Sequence, residues 1–575
     1  MASTQQVSWL PDRPPADLPR RVRPVVSPPS SPVTVAGAAP VSHRLPCAWT
    51  SSGRAPLLEI DEPGLGPRSR PARLAAALAA VKPFLVTGAP GSFRTTTRPV
   101  LPRSPFPRPS AAAADKARRL LERALGPSKV ISSPEGMGAY AGDESEQSPT
   151  LPDVVALASS PDDVAAALAA AREAEVPIVP RAAGTGKSGG AVPVAGGIVL
   201  VTLGMNGIKE IDRRERIAVV EPGVVLGDLH AAAEAEGLLY APDPNSFETC
   251  AIGGNIAENA GGPRAFKYGV TRDHVLGLEV TLMDGTRLRT GRRTTKGVTG
   301  YDVTALLVGS EGTLAVTTEA TLKLVPKPEA VATLLALFAS VADAGRAVAA
   351  IIAAGLVPRC IELLDSRTLG AVRARGLPID ARANAMLILE VDGDVASCEA
   401  QMERVGSVCA EEAAAIEVLA AQDRAQRDRL WEARRQMSVA TRAMGRFKIS
   451  EDVVVPRTRV VDLLAEVEHI ADRTGVLMPT YGHAGDGNLH VGLIWDDPDH
   501  APRVREALLQ LFRAVVGMRG TLSGEHGIGV SKAEHLGLEQ SEALIELQRN
   551  LKSVFDPKGL LNPHKIFPRR GHGAC

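Results

Sequence analysis

Two histidines and a Glu-His pair stand in glycine-rich turns in the last hundred residues of the chain, and those residue types at that spacing can hold a metal ion. In Gly482-His-Ala-Gly-Asp-Gly-Asn-Leu-His490 a turn over Ala484–Gly487, flanked by extended segments Val476–Pro479 and Val491–Trp495, returns His483 and His490 close to one another. Two imidazoles on one side suit a borderline divalent metal. A third ligand is available in Gly524-Glu-His-Gly-Ile-Gly529, where Glu525 is followed by His526, and two histidines plus a carboxylate leave coordination positions open to a substrate. Glycine weakens a segment unless the backbone must approach something closely, so its concentration around these side chains favours a site over an accident.

A second kind of chemistry is written in three other glycine loops. Gly184-Thr-Gly-Lys-Ser-Gly189 satisfies the dinucleotide pattern G-x-G-x-x-G, but that fingerprint needs a helix to begin there, and Pro193, Gly196 and Gly197 intervene before the strand-like run Ile198–Leu203. Gly186-Lys187-Ser188 imitates the end of a Walker A loop, yet Arg181 occupies the place of its first glycine. What remains is a strand, a loop and a strand, with small residues whose N–H groups can converge on a diphosphate without a helix. Pro242-Asp-Pro-Asn-Ser246 with Ile252-Gly-Gly-Asn-Ile-Ala-Glu-Asn-Ala-Gly-Gly262 makes a second such element, and Val308-Gly-Ser-Glu-Gly-Thr-Leu314 a third. Three loops of this kind, separated by strands, point to one long anionic ligand lying against exposed backbone.

The elements that must position these loops follow from periodicity. Helices are expected over Ala111–Leu125, after Ser160-Pro161-Asp162-Asp163 and over Leu226–Glu236. Strands are expected near Val154–Ala158, Val176–Pro180, Ile198–Leu203, Ile217–Glu221 and Val275–Met283. Beyond Lys327-Pro328 a second region is expected: an apolar strand Ala332–Ala339, a helix Ala342–Ala354, strands Cys360–Leu364 and Ala385–Val391, then helices to Met444. The 575 residues suffice for several domains, and 65 basic against 65 acidic residues give no electrostatic case for nucleic acid or an anionic membrane. The cysteines Cys47, Cys250, Cys360, Cys398, Cys409 and Cys575 form no CxxC pair, which suits a reducing compartment and excludes an in-chain cluster or zinc ribbon. The longest apolar run, Val331 to Ala342, is too short for a spanning helix of about 20 residues. Residues 1–110 carry 21 of the 44 prolines and 14 Lys/Arg against 5 Asp/Glu. This leader reads as a largely disordered extension apart from a short helix near Ala72–Val81, with an organelle transit peptide as the alternative, and the expected location is accordingly cytoplasmic or, with such a peptide, mitochondrial or another organelle.

In the order of these loops the chain resembles the vanillyl-alcohol oxidase/p-cresol methylhydroxylase superfamily of FAD proteins. Pro180 to Gly190 looks like its pyrophosphate loop, Ile252–Gly262 its second flavin loop, and Tyr301-Asp302 through Thr313 its third. The resemblance implies FAD contacts from Pro180, Arg181, Ala182, Ala183, Gly184, Thr185, Gly186, Ser188 and Gly189. It implies further contacts from Pro242, Asp243, Gly253, Gly254, Asn255, Ala257, Asn259, Gly261 and Gly262, and from Glu311, Gly312 and Asn562. Where relatives with covalent flavin carry a nucleophile, the first loop has Lys187 and Ser188, so non-covalent FAD is expected; Cys250 is read as a buried structural thiol.

The histidine segment is similar to the C-terminal domain of the branch that oxidises D-lactate, D-2-hydroxyglutarate and glycolate. By that resemblance His483, His490 and Glu525 bind zinc or manganese, His526 is the base, and Asn488 contributes to the substrate pocket. Trp431-Glu-Ala-Arg434 resembles the branch's Trp-x-x-Arg element, so Arg434, or its neighbour Arg435, would grip the substrate carboxylate. Ser450 stands where some relatives carry a substrate lysine, with Lys448 two residues away, which argues against 2-hydroxyglutarate selectivity. Asp452 and the closing Asp556-Pro-Lys-Gly-Leu-Leu-Asn562-Pro563 match the family. The implied architecture is α+β: a two-subdomain p-cresol-methylhydroxylase-type FAD-binding domain over 111–328, a ferredoxin-like α+β cap with the metal site over 329–530, a segment 531–568 returning to the FAD domain, and a tail 569–575. The implied activity is oxidation of a D-2-hydroxy acid to its 2-oxo acid, with electrons passed to an external quinone, cytochrome, electron-transfer flavoprotein or iron–sulfur subunit. The alternatives are a non-redox FAD transferase of the alkyl-dihydroxyacetone-phosphate synthase type and a flavin subunit without activity of its own.

Overall fold

The structure, a computed structural model, describes residues 105–376, 379–421 and 423–569. The extension before residue 105, with its expected helix near Ala72–Val81, and the tail 570–575 lie outside the described residues.

Short apolar runs become strands buried on both faces. Val154–Leu157, Ile198–Val201 and Ile178–Arg181 pair in parallel in that order, and Val130–Ile131 joins the first of them antiparallel at the edge. The chain between Val154–Leu157 and Ile178–Arg181 includes the helix Pro161–Ala174. Ser160 caps this helix by accepting from the Asp163 amide, Pro161 occupies the first turn, and Asp162 and Asp163 sit at its positive end. Together with helix Ala111–Leu125 it covers one face of the sheet through Leu121, Val164 and Leu168. A five-stranded antiparallel sheet follows, in the order Ile208–Asp212, Ile217–Val220, Val316–Lys323, Val275–Thr281, Arg287–Gly291. Ala320 and Leu322 of its central strand pack with Leu226 and Leu229 of helix Leu226–Ala235.

The third sheet is antiparallel and seven-stranded: Glu417–Ala420, Ala330–Phe338, Ala385–Gly393, Cys360–Leu364, Thr480–His483, Asn488–Trp495, Phe447–Val454. Alternation along Ala330–Phe338 sends Leu334, Ala336 and Phe338 into one core, against helices Val341–Ala353 and Val460–Thr474, and Leu335 and Leu337 into another, where Leu369 and Met437 meet them. The second core lies under helices Ser366–Ala374 and Arg424–Arg442, and this is the face that carries the chemistry. After Gly559 the chain returns to the first sheet, where Ile178 donates to Leu560 O and accepts from the Asn562 amide at 2.9 and 2.8 Å. The molecule is α+β, and among the described residues no helix is long and apolar enough to cross a membrane.

Most expected elements form within a few residues of their expected bounds. Ile252–Glu258, expected as a loop, is instead a seven-residue helix ending on the left-handed Asn259. Its glycines serve packing: a Cβ on Gly253 would lie 2.7 Å from Pro222 Cβ. The extended segment expected at Val476–Pro479 begins later, at Thr480, so that His483 belongs to the strand itself. Five strands of four or more residues are missing from the sequence expectations: Ile208–Asp212 and Arg287–Gly291 are polar edge strands without apolar alternation, Glu417–Ala420 is an edge strand of only four residues, and in Val316–Lys323 and Phe447–Val454 threonines or charged residues interrupt the apolar pattern.

The turn joining the two histidine strands depends on Gly487, whose φ is +86° and whose added Cβ would lie 2.1 Å from Val455 O. Gly487→Ala is expected to destabilise the protein by at least about 1–2 kcal/mol from the left-handed backbone alone, checked by the denaturation midpoint in urea.

Candidate active site

Strand register gathers the site. Across the seven-stranded sheet Glu362 faces His483, which faces Asn488; two residues along, Tyr481 faces His490, which faces Asp452. Because side chains alternate with period two, all six project from one face. His483 Nδ1 donates to Glu362, which turns Nε2 towards Glu525 Oε1 at 3.7 Å. His490 presents Nε2 to the same oxygen at 3.5 Å, with its ring nearly perpendicular to that of His483. His483, His490 and Glu525 thus offer ligand atoms within 4.8 Å of one another.

The electrostatics of the trio suit a cation. Burial opposes a charge on His483, but Glu362 and Glu525 outweigh it and hold the ring's pKa well above the usual value. The same carboxylates would favour a metal in place of the proton. Burial pushes His490 down to about 3, keeping it neutral as a ligand must be, and its Nδ1 has no hydrogen-bond partner. A second trio, Asp452, His490 and His526, is equally close. Its carboxylate is already occupied. Asp452 Oδ2 accepts from the amides of Gly524, Glu525 and His526 at 2.8–2.9 Å and from Ser523 Oγ at 3.1 Å, while Oδ1 accepts from Asn488. Burial works against its charge, yet His526, Lys532 and His490 with these amides keep the carboxyl well below the ordinary range. Asp452 therefore anchors the loop, and the donor set fits a divalent ion on His483, His490 and Glu525.

Asn488, expected in the substrate pocket, projects from the same face, but its amide nitrogen donates to Asp452 Oδ1 and to Val453 O and it does not line the cavity. The reason is the register, which sets it opposite His483 at the sheet's turn. His526 does line the cavity, its ring stacked on His490, with Nδ1 3.9 Å from Asp452 and Nε2 3.8 Å from Glu525. Arg434 reaches in from helix Arg424–Arg442, which covers this face. It is 2 % exposed, gives Nε to Glu362, lies over the Tyr481 ring and has one terminal nitrogen without a partner. One turn earlier Trp431 donates to Glu390 at 2.6 Å, pinning the helix to the sheet. The Arg435 side chain lies outside the described residues. Ser450 lines the cavity, whereas Lys448 is turned to Thr441 Oγ1 at 2.8 Å.

The same cavity, about 500 Å³, extends between these groups and the glycine loops. Pro180, Arg181, Ala182, Ala183, Gly184, Thr185 and Gly186 line it without any helix beginning there. Gly253, Gly254, Asn255, Ala257 and Gly261 contribute from the second element, and Glu311, Gly312 and Asn562 from the third and the chain's close. Asn255 Nδ2 and Asn562 Oδ1 are buried without hydrogen-bond partners, which suits contact with a polar ligand. Six expected contacts do not line the cavity. Ser188 and Gly189 sit behind the loop, where the Ser188 hydroxyl meets Glu258 at 3.4 Å and the Gly189 φ of +78° turns the chain away. Pro242 O is engaged by His230 and Asp243 by Arg264, while Asn259 caps the amide of Arg272 and Gly262 abuts Asp243.

Glu362 and Glu258 escaped the sequence reading. A lone carboxylate in the apolar strand Cys360–Leu364 was the available signal for Glu362, since a buried charge requires partners. Glu258, in the cavity wall, is held well above the usual carboxylate range by burial and by Glu311 and Asp143.

Comparison with known proteins shows the family. Residues 152–291 match the FAD binding domain model, and residues 327–566 match the model for FAD linked oxidases, C-terminal domain. The chain is 41 % identical over 449 residues to the glycolate oxidase subunit GlcD of Bacillus subtilis, covering 77 % of this chain and 95 % of that protein. It is 36 % identical over 424 residues to the D-lactate dehydrogenase of Archaeoglobus fulgidus, covering 72 % and 91 % respectively. The fold is similar to that of p-cresol methylhydroxylase with substrate bound, with a TM-score of 0.68 at 15 % identity over 80 % of this chain and 98 % of that one. The chain belongs to the FAD-linked oxidase family: it is an FAD-dependent oxidoreductase with a p-cresol-methylhydroxylase-type fold.

Proposed function

We propose that the protein oxidises a D-2-hydroxy acid of the D-lactate or glycolate class to the 2-oxo acid, using dissociable FAD and a zinc or manganese ion on His483, His490 and Glu525. The observation that carries this reading is one cavity lined at once by the glycine loops and by Arg434, His483, His490, Glu525 and His526. The names glycolate oxidase subunit and D-lactate dehydrogenase borne by relatives point the same way. When bound, the flavin supplies an acceptor for a hydride and the cation a Lewis acid that lowers the pKa of a hydroxyl.

The chain's own residues do the rest. Arg434 binds the substrate carboxylate with the terminal nitrogen that Glu362 leaves free, fixing the orientation of the reacting carbon. His526 takes the hydroxyl proton at Nε2, on the Glu525 side, and Asp452 beside Nδ1 stabilises the imidazolium that results. Burial lowers the pKa of His526, so the ring is neutral and able to accept at neutral pH. In each turnover the acid loses a hydride from carbon and a proton from oxygen. A bound flavin would require an external acceptor for these electrons, a quinone, cytochrome, electron-transfer flavoprotein or iron–sulfur subunit, in the cytoplasm or, where the leader is a transit peptide, in an organelle.

The test is anaerobic mixing of the FAD-loaded protein with D-lactate, glycolate, D-2-hydroxyglutarate and longer acids, with L-enantiomers alongside, following flavin absorbance. Bleaching by a D-acid or glycolate is expected; if no acid bleaches the flavin, the reading fails and the non-redox transferase becomes the better account. His526→Ala should slow flavin reduction by about 10²–10⁴-fold with FAD still bound, measured by stopped flow. Dialysis against a chelator should suppress reduction while leaving the flavin spectrum in place, and added zinc or manganese should restore it. Arg434→Lys, which cannot serve Glu362 and a carboxylate in one plane, is expected to lower kcat/KM by on the order of 10²-fold.

A further inference from the structure

Two buried carboxylates divide the loop Gly524–Gly529 between them. Asp452, from the seven-stranded sheet, takes the amides of Gly524, Glu525 and His526. Glu311, from the third glycine loop, takes the next part: Oε1 accepts from the Ile528 amide and Oε2 from the Gly529 amide, each at 2.7 Å. Both oxygens of Glu311 are thus directed at the loop that carries Glu525 and His526. The loop lies directly on the flavin-binding half. A Cβ on Gly527 would lie 2.2 Å from Glu258 Oε2 and 3.0 Å from Glu311 Oε1, and a Cβ on Gly261 would lie 2.8 Å from Glu525 Oε2.

Glu311 itself is held in a disfavoured conformation. Its φ is +52°, in the left-handed region that side-chain-bearing residues avoid. The Glu311 amide donates to Ala257 O, and Asn562 Nδ2 donates to the Glu311 carbonyl, both at 2.8 Å. Ala257 and Asn562 line the cavity from the flavin side. A continuous set of hydrogen bonds therefore runs from cavity-lining backbone, through Glu311, to the segment that follows Glu525. Strain of this kind persists only where neighbours over-determine it, and two of the four groups that hold Glu311, those of Ala257 and Asn562, belong to residues lining the cavity.

We propose that Glu311 is a positioning residue for the metal site, and that through it FAD and the divalent metal bind cooperatively, each tightening the other. The inference rests on the metal reading under Proposed function. With the cavity filled, Glu311 stays fixed and the loop is fastened at both ends; with it empty, Glu311 can relax and release two amides, leaving Glu525 held by Asp452 alone. Thermodynamic linkage then requires that the factor by which FAD tightens the metal equal the factor by which the metal tightens FAD.

The experiment titrates Mn²⁺ into the full chain, with FAD bound and with FAD removed, reading free Mn²⁺ by electron paramagnetic resonance, and measures FAD affinity by fluorescence with and without Mn²⁺. Removal of FAD is expected to weaken Mn²⁺ binding at least 10-fold, with the reciprocal change in FAD affinity. In Glu311→Gln, whose amide group cannot accept from two N–H groups through both of its terminal atoms, Mn²⁺ affinity should fall by a similar factor in the FAD-loaded protein, and FAD removal should then change it less than 2-fold. Equal Mn²⁺ affinity with and without FAD overturns the proposal, and the wild-type measurement decides this even if the variant does not fold. A Glu311→Gln protein that loses FAD but keeps its Mn²⁺ affinity also overturns it, because Glu311 would then serve the flavin directly. If the FAD-loaded wild type binds no stoichiometric Mn²⁺ or Zn²⁺, the metal reading itself is wrong and the inference falls with it.

Discussion

A carboxylate removed from water must be matched by donors, and the pairing of Glu362 sets the shape of this site. Its side chain is fully buried, and His483 and Arg434 share it. One oxygen fixes the ring orientation of a candidate metal ligand; the other fixes the guanidinium that would receive a substrate carboxylate. Together these charges hold the Glu362 carboxyl down at about 2 against the cost of burial, so it stays an acceptor throughout the ordinary pH range. Two functions that lie 49 residues apart in the chain, as 434 and 483, are thereby set at a fixed distance from one another by one strand residue.

The same logic recurs around the loop that supplies Glu525 and His526. Asp452 lies in the next row of the sheet, opposite His490, and collects three consecutive amides of that loop. The loop Gly524–Gly529 contains three glycines and a single apolar side chain, so it has little packing of its own to define it. Its conformation is imposed from outside by charge-assisted hydrogen bonds, which are about twice as strong as neutral ones and directional. The candidate flavin cradle and the candidate metal and acid–base groups thus stand on different supports, glycine backbone on one side of the cavity and a strand-borne polar cluster on the other.

The chain's local signals were strong where periodicity or motif spacing controlled the outcome. Ala111–Leu125 and Cys360–Leu364 form as their patterns predict, and no helix starts at Gly184–Gly189, where Pro193 and the paired glycines oppose one. The histidine motif was legible because two imidazoles seven residues apart across a glycine turn have few other ways to be arranged. Less legible were Ile252–Glu258, where glycines that signal a loop instead permit close helix packing, and Asn488, whose role depends on which strand lies beside it. The polar edge strands carry no apolar period at all.

What the sequence determined by itself was therefore the menu: a glycine-loop cradle for a long anion, two histidines and a carboxylate suited to a cation, and an α+β alternation to carry them. Tertiary structure alone decided which carboxylates matter. Glu362, Glu311 and Asp452 lie 51 to 141 residues apart in sequence, and their local settings, an apolar strand for Glu362 and a glycine loop for Glu311, do not say which donors each will meet. They acquire their roles because strand register and loop closure remove them from water, where each must find donors, and the donors within reach belong to the site.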